Sequence, residues 1–291
     1  MKNIIILIPI FNDWDSLKKL IINIDENIKN INNISFHCCV INDASTIDLP
    51  DLKKPKNIKS FKILNMKKNR GHARCSAFGV RYVFQKENFD NLIVMDGDGE
   101  DRPVELKNLI QEMLKNPNSS VVAKRVKRSE GLIFRSLYQM HKLITLIFTG
   151  KLMNFGNYTC LTKQDVEKLY SKASLWSSYS GSIKKYLKNT KEINSVRGFR
   201  YFGPSKMTLF RLLIHSFSII AVFKHQVFLR SSFILIALAY TSKYLGNISI
   251  YFQVLIVFFN LIIFIVSFRE NEIDLKDSHK NLDKIKDITH K

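Results

Sequence analysis

Short unbroken apolar runs alternate along the first half of the chain with stretches in which apolar residues return every three or four positions. The runs at 3–8 (NIIILI), 36–41 (FHCCVI), 60–64 (SFKIL), 91–95 (NLIVM) and 119–123 (SSVVA) have the length of buried strands. Between them Leu17, Leu20, Ile21, Ile24 and Ile28 share one helical face, as do Ala73, Ala77, Val80 and Phe84. Leu106, Leu109, Ile110, Met113 and Leu114 repeat the spacing. Near-continuous apolar strands alternating with amphipathic helices predict an α/β fold with a mostly parallel sheet covered on both faces. Ligands in such sheets bind beyond the carboxyl ends of the strands, so the residues after each strand are the candidates for chemistry.

The last third has a different pattern. Residues 248–268 (ISIYFQVLIVFFNLIIFIVSF) carry no charge, over the length that a bilayer core demands. A shorter run at 227–246 contains FILIALAY, and its Arg230 and Lys243 can snorkel to opposite interfaces. The stretch 206–224 is interrupted by Arg211 and His215 and suits an amphipathic helix in the headgroup region. Two spans return the Lys-rich end to the starting side, with Lys206, Arg211, Lys224, Arg230 and Arg269 on the cytoplasmic face. The expected organisation is a catalytic or binding domain over 1–205, an interfacial helix over 206–225, two transmembrane helices over 226–268 and a basic cytoplasmic tail over 269–291. The expected location is the cytoplasmic (inner) membrane, multi-pass, with the first domain facing the cytoplasm.

Composition narrows the partners. Lys and Arg number 45 against 25 Asp and Glu, a net charge of +20, which favours nucleic acid, phosphorylated small molecules or an acidic membrane face. Hydrophobic residues at 46% and charged residues at 24% exclude a disordered chain. Cys38, Cys39, Cys75 and Cys160 show no C-x-x-C spacing, which argues against zinc sites or disulfides and for buried thiols in a reducing compartment. The apolar start IIILIPI ends in Pro9 with Asp13 and Asp15 beyond and no small-residue cleavage site, so it reads as a strand and not a signal peptide.

Pro9 is expected to end the first ladder, and Asn12 and Asp13 either cap the next helix or face a ligand. Asn42-Asp43-Ala44-Ser45-Thr46, with Asp48, suits a base or ribose and equally an ordinary turn. Asp96-Gly97-Asp98-Gly99-Glu100-Asp101 sets four acids in six residues, which repel strongly unless a cation neutralises them. The Asp-x-Asp spacing turns alternate carboxylates to one side of an extended chain, where both reach a divalent ion and its diphosphate. Asn69-Arg70-Gly71-His72-Ala73-Arg74 opens a helix, a favourable place for phosphate. Lys124-Arg125-Val126-Lys127-Arg128, followed by Arg135, lacks the interleaved aromatics of a nucleic-acid patch and is either a phosphate site or a solvated basic face.

In this order the segments resemble a family 2 glycosyltransferase of the GT-A fold over nearly the whole chain. Ile8 through Asp13 is similar to V-P-x-Y-N-E, Asn42 through Thr46 with Asp48 to D-D-G-S-x-D, and Asn69 through Gly79 to N-x-G-x-x-x-A-x-x-x-G. Met95 through Asp101 resembles M-D-A-D-L-Q-D of the polyprenyl-phosphate sugar transferases, the branch of dolichol-phosphate mannose synthase and the bactoprenol glucosyltransferases. Arg125-x-x-Arg128 and Arg135 fit that branch's basic segment, and Gly156-Asn157-Tyr158 with Leu161 its G-D-F-x-L. Arg200 through Met207 fits its R-x-x-G-x-S-K-Y. Asn42 and Ala44 stand for an acid and a glycine, Glu100 for a Gln and Asn157 for an Asp.

The resemblance implies a Rossmann-like GT-A catalytic domain, an interfacial amphipathic helix and a two-helix transmembrane hairpin. It implies inverting, metal-dependent sugar transfer from a UDP- or GDP-sugar to a polyprenyl (undecaprenyl-type) phosphate at the cytoplasmic membrane face, with Mg²⁺ or Mn²⁺ as cofactor. By the same resemblance Asp98, with Asp96 and Glu100, would hold the ion, and Asp96, Asp98, Arg125 and Arg128 form the catalytic set. Pro9, Phe11, Asn12, Asp13, Asp43, Arg70 and Asp96 would line the nucleotide pocket. Arg135, Asn157, Arg200, Ser205 and Lys206 would meet the acceptor phosphate. An ionised phosphate attacks without a general base, which makes an amide at 157 compatible, whereas a hydroxyl acceptor calls for a carboxylate. Transfer to a hydroxyl of a glycolipid or cell-surface glycan, nucleotidyl transfer and an inactive membrane scaffold are the alternatives. No nucleic-acid partner is expected, and a homo-oligomer stays open.

Overall fold

The computed structural model describes residues 1–127, 132–204 and 208–289, the side chains at 127 and 132–135 excepted. The five apolar runs form β1 (Lys2–Ile10), β2 (Ile34–Asn42), β3 (Ile58–Met66), β4 (Asn91–Val94) and β5 (Val121–Lys127). The three periodic stretches form α1 (Trp14–Ile28), α2 (His72–Lys86) and α3 (Leu106–Lys115). Beyond them come α4 (Leu132–Thr149), β6 (Phe155–Thr162), α5 (Lys163–Leu169), α6 (Ala173–Ser177), α7 (Tyr179–Tyr186) and β7 (Lys191–Val196). The chain continues through α8 (Leu209–Ala221), α9 (Lys224–Leu245), α10 (Asn247–Ser267), α11 (Glu272–Lys276) and β8 (Leu282–Asp287).

Among the described residues the sheet has eight strands in the order β7-β5-β6-β4-β1-β2-β3-β8. β1 pairs in parallel with β2 and β4, β2 with β3, and β5 with β7. β6 runs against β4 and β5, and β8 against β3. The carboxyl ends of β1, β2, β4, β5 and β7 and the amino end of β6 therefore share one edge of the sheet.

Alternation along each strand divides the core. Ile4, Ile6 and Ile8 of β1 pack with α1 and α3 on one face, while Ile5 and Leu7 pack with α2 and α5 to α7 on the other. Gly79 lets α2 lie close to the sheet, since a Cβ there would come within 2.6 Å of the Leu7 side chain. Pro9 does not end the ladder as expected: it stands in register with Ile41, and β1 runs on to Ile10. Leu7 accepts the Met95 N–H on the β4 side, so Pro9, two residues on, turns to that same side. β4 has ended there, and the missing proline N–H costs no ladder bond.

Of the membrane expectations, one helix among the described residues, α10, is by itself long and apolar enough to cross a bilayer, with a mean hydropathy of 2.5. α9 by itself does not meet that measure, and α8 and α9 pass it only as a pair bent by 86°. α9 and α10 turn back on each other at Gly246 (φ 53°), where Ser249 Oγ donates to the Leu238 carbonyl at 2.6 Å. The segment after α10, expected as a basic tail, folds back as α11 and adds β8 to the edge of the sheet, Ile285 opposite Leu64.

Candidate active site

The connections 11–13, 43–48, 67–71, 95–102 and 197–204 meet at the shared strand edge, with Asn157 of β6 facing the acidic one. That acidic connection is held as a tight turn by its own carboxylates, which accept its backbone N–H groups. Asp101 Oδ2 accepts the Asp96 N–H at 2.9 Å, and Asp98 Oδ1 accepts the Glu100 N–H at 3.0 Å. Gly99, at φ +89°, lies under the Tyr201 ring, where a side chain would be both strained and in collision.

The three acids expected at the ion do not stand together. Asp96 accepts from Asn157 Nδ2 at 3.0 Å and lies 3.2 Å from His72 Nε2. Asp98 accepts from Arg200 Nη1 at 2.7 Å, and Glu100 is paired with Arg197. Each acid is thus neutralised separately, and among the described residues no three acid, imidazole or thiol groups form a metal cage. This donor set fits Mg²⁺, which takes one or two carboxylates and completes its shell with phosphate oxygens and water.

Electrostatics separates the four carboxyls. Burial pushes Asp96 up, but the charge and hydrogen bond of His72 and the Asn157 amide outweigh it and hold Asp96 well below the usual carboxylate range. Burial, then the Asp96 charge, raises Asp98 and pushes Asp101 up to about 7. Burial also raises Glu100 against the charge of Arg197.

Asn12 and Asp13 take neither side of the expected alternative simply. Asp13 occupies the position before α1 but gives it no side-chain cap; its carboxylate accepts from Arg200 Nη2 at 2.5 Å. A guanidinium is a stronger partner for a carboxylate than a neutral N–H. Asn12, at φ 51°, accepts the N–H groups of Thr46 and Ile47 at 2.8 and 3.2 Å and ties the first two connections together. Asp43 accepts the Arg70 and Gly71 N–H groups at 2.9 and 2.8 Å and so anchors the start of α2. The Arg70 side chain is exposed, Phe11 is partly exposed, and Pro9 is buried at the end of β1. The Arg125 N–H donates to the Asn154 carbonyl at 2.9 Å, and its guanidinium lies against Gly156, with its charge felt at Asp101 and Glu100. Arg128, Ser205, Lys206 and the side chain of Arg135 lie outside the described residues.

The structure thus joins Asp13, Asp98 and Arg200 in one cluster and Asp96, Asn157 and His72 in another. His72 and Arg197 were not singled out in the sequence. His72 lay within a segment read only for its helix start, and Arg197 follows a strand too polar to be noticed. His215 of α8 also borders this region: burial, then the His72 charge, pushes it down to about 4.

A parallel-rich sheet with an acidic turn at its carboxyl edge defines an α/β fold of the GT-A kind. Residues 5–179 match the model of Glycosyl transferase family 2, more than half of the chain. The chain belongs to that family and is a glycosyltransferase. Among solved structures, glucosyl-3-phosphoglycerate synthase from Mycobacterium tuberculosis with Mn²⁺, UDP-glucose and phosphoglyceric acid is similar at 13% identity and a TM-score of 0.54, over 78% of this chain and 80% of that one. The same enzyme with Mn²⁺, UDP and glucosyl-3-phosphoglycerate gives 13% identity and a TM-score of 0.51 over the same shares. A further mycobacterial protein gives 14% and 0.52, over 78% and 75%. These likenesses are of fold. No curated protein matches the sequence significantly.

Proposed function

We propose that the chain transfers a sugar, with inversion, from a UDP- or GDP-sugar to a polyprenyl phosphate at the cytoplasmic face of the inner membrane. The reading rests on one juxtaposition. The acidic turn at 96–101 is crossed by the segment 197–204, which leads into α8 and the apolar helices.

Large apolar side chains stand exposed along these helices: Phe210 and Leu213 on α8, and Tyr251, Val254, Leu255 and Phe258 on α10. Met140, Leu143, Leu146 and Ile147 make a similar face on α4, which the sequence did not flag. So much contiguous apolar surface favours a lipid environment. Because β8 returns to the sheet that β7 left, the chain between them must cross a bilayer an even number of times. If α10 crosses, α9 is the helix available to cross back. This supports an interfacial helix over 206–225 and two spans within 226–268, with 1–205 and the returning tail on one side.

A bound Mg²⁺ or Mn²⁺, held by Asp98 with Asp96 as a second oxygen donor while Glu100 stays with Arg197, would serve as Lewis acid for the departing nucleoside diphosphate. Asn12, Asp13 and the 43–46 connection form the wall offered to base and ribose, with Pro9, Phe11, Asp43 and Arg70 shaping it. Arg125 and Arg200, with Arg128, Arg135, Ser205 and Lys206 by resemblance, supply forks and point charges for diphosphate and acceptor phosphate. An ionised acceptor oxygen attacks the anomeric carbon, the carbon–oxygen bond to the diphosphate breaks, and no proton has to move. An amide at Asn157 suits that step. The M. tuberculosis structure, which holds Mn²⁺ and UDP-glucose together, supports a divalent ion and a nucleotide sugar as the donor pair here.

Transfer to a hydroxyl is the second reading, favoured by the His72–Asp96 pair, whose imidazole in its neutral form would accept the proton. Membranes containing the protein, incubated with a panel of labelled nucleotide sugars and extracted for lipid, separate the two. The proposal expects a labelled lipid cleaved by mild acid, as a sugar phosphodiester is. An acid-stable glycoside would favour the hydroxyl.

A further inference from the structure

The segment 197–204 is fastened across the acidic turn. The Tyr201 N–H donates to the Asp98 carbonyl and the Gly198 N–H to the Glu100 carbonyl, both at 2.9 Å. The Tyr201 hydroxyl accepts from Asn23 Nδ2 of α1 at 2.7 Å, and its ring covers Gly99. Arg197 is paired with Glu100. At the centre Arg200 bridges two carboxylates from different strand ends, Asp98 at 2.7 Å and Asp13 at 2.5 Å. Arg200 has 15% of its side chain exposed and the two acids 16% each, so these charges are largely withdrawn from water.

One guanidinium therefore gives the acid assigned to the metal, and an acid of the nucleotide wall, the positive charge that a loaded donor site would bring. We propose that Arg200 is a stand-in cation that keeps the donor site closed until a divalent ion and a nucleoside diphosphate displace it, and that it then turns to the acceptor phosphate. The inference rests on the metal-dependent donor reading above and adds an order of events to it. A divalent cation on Asp98 repels a guanidinium held beside it, so the two cannot share that carboxylate at short range. Once released, the planar fork of Arg200 matches a phosphate in two parallel hydrogen bonds. Donor loading thereby creates the acceptor site, and acceptor phosphate has no claim on Arg200 beforehand.

The full chain in detergent, titrated by calorimetry with Mn²⁺ and either UDP or GDP, tests this. Arg200→Ala removes the competitor from Asp98 and should tighten binding of the effective pair about tenfold or more, the scale of one charge-assisted hydrogen bond. Hydrogen exchange on the unaltered protein is the second readout, independent of whether the variant folds. Mn²⁺ with nucleotide should speed exchange at the Gly198 and Tyr201 amides, because their partners lie in the turn from which Arg200 is released. Equal or weaker binding by Arg200→Ala, with exchange at those amides unchanged or slowed, overturns the stand-in role and leaves the donor reading intact. Failure of both proteins to bind either pair overturns the two together.

Discussion

Ala44 occupies a left-handed backbone conformation (φ 57°) in which its methyl group is unfavourable, at the position where the resembled nucleotide motif carries glycine. The left-handed region costs an L-residue roughly 1–2 kcal/mol. Glycine's greater freedom in the unfolded chain offsets about 0.5–1 kcal/mol of that. Ala44→Gly should therefore raise stability by roughly 0.5–1 kcal/mol in denaturant titrations of the detergent-solubilised protein. A loss of stability would mean that the turn does not hold Ala44 as described. Asn42 compensates its own departure from the motif by donating to Asn65 Oδ1 at 2.9 Å and accepting the Ser45 N–H at 3.0 Å. The amide at 157 likewise donates to Asp96, where a carboxylate would repel it.

Strands with both faces buried were legible because they are almost wholly apolar, as ILIPI in β1 and NLIV in β4 show. β7 (KEINSV) and β8 (LDKIKD) escaped notice because they are edge strands, which carry charge outward to discourage further pairing. β6 (FGNYTCLT) is central but antiparallel, and its polar residues are either buried with partners or turned to the site. The acidic turn was legible because its chemistry lies within six consecutive residues. The Arg200 cluster was not, since it joins side chains 102 and 187 positions apart, and no local pattern records such a meeting. The helices α9 and α10 give a test of their own. All four native cysteines are buried, so cysteines placed at Asn247 and Asp283, both exposed, can be labelled selectively with a membrane-impermeant thiol reagent. In sealed vesicles the two should react from opposite sides. Labelling of both from the same side would contradict the paired spans.

The net charge of +20 favours an anionic surface or ligand as partner. Lys284 and Lys286 stand on the exposed edge strand, and Lys224 forms an ion pair with Glu270 at 3.5 Å where α9 begins and α10 has ended. The returning β8 fixes both ends of the apolar helices to one sheet, so the catalytic edge is held at a set height relative to any bilayer they enter. The central claim is that this edge uses Asp98 to move a sugar onto a membrane-borne phosphate. Its most direct measurement is label transfer by the purified full chain in vesicles containing polyprenyl phosphate, with Mn²⁺ and a labelled UDP- or GDP-sugar. The account predicts an acid-labile sugar lipid, lost with chelator and reduced at least about a hundredfold in Asp98→Asn, the scale set by removing a charge from transition-state stabilisation. Transfer that persists undiminished in Asp98→Asn, or a product stable to mild acid, would contradict it.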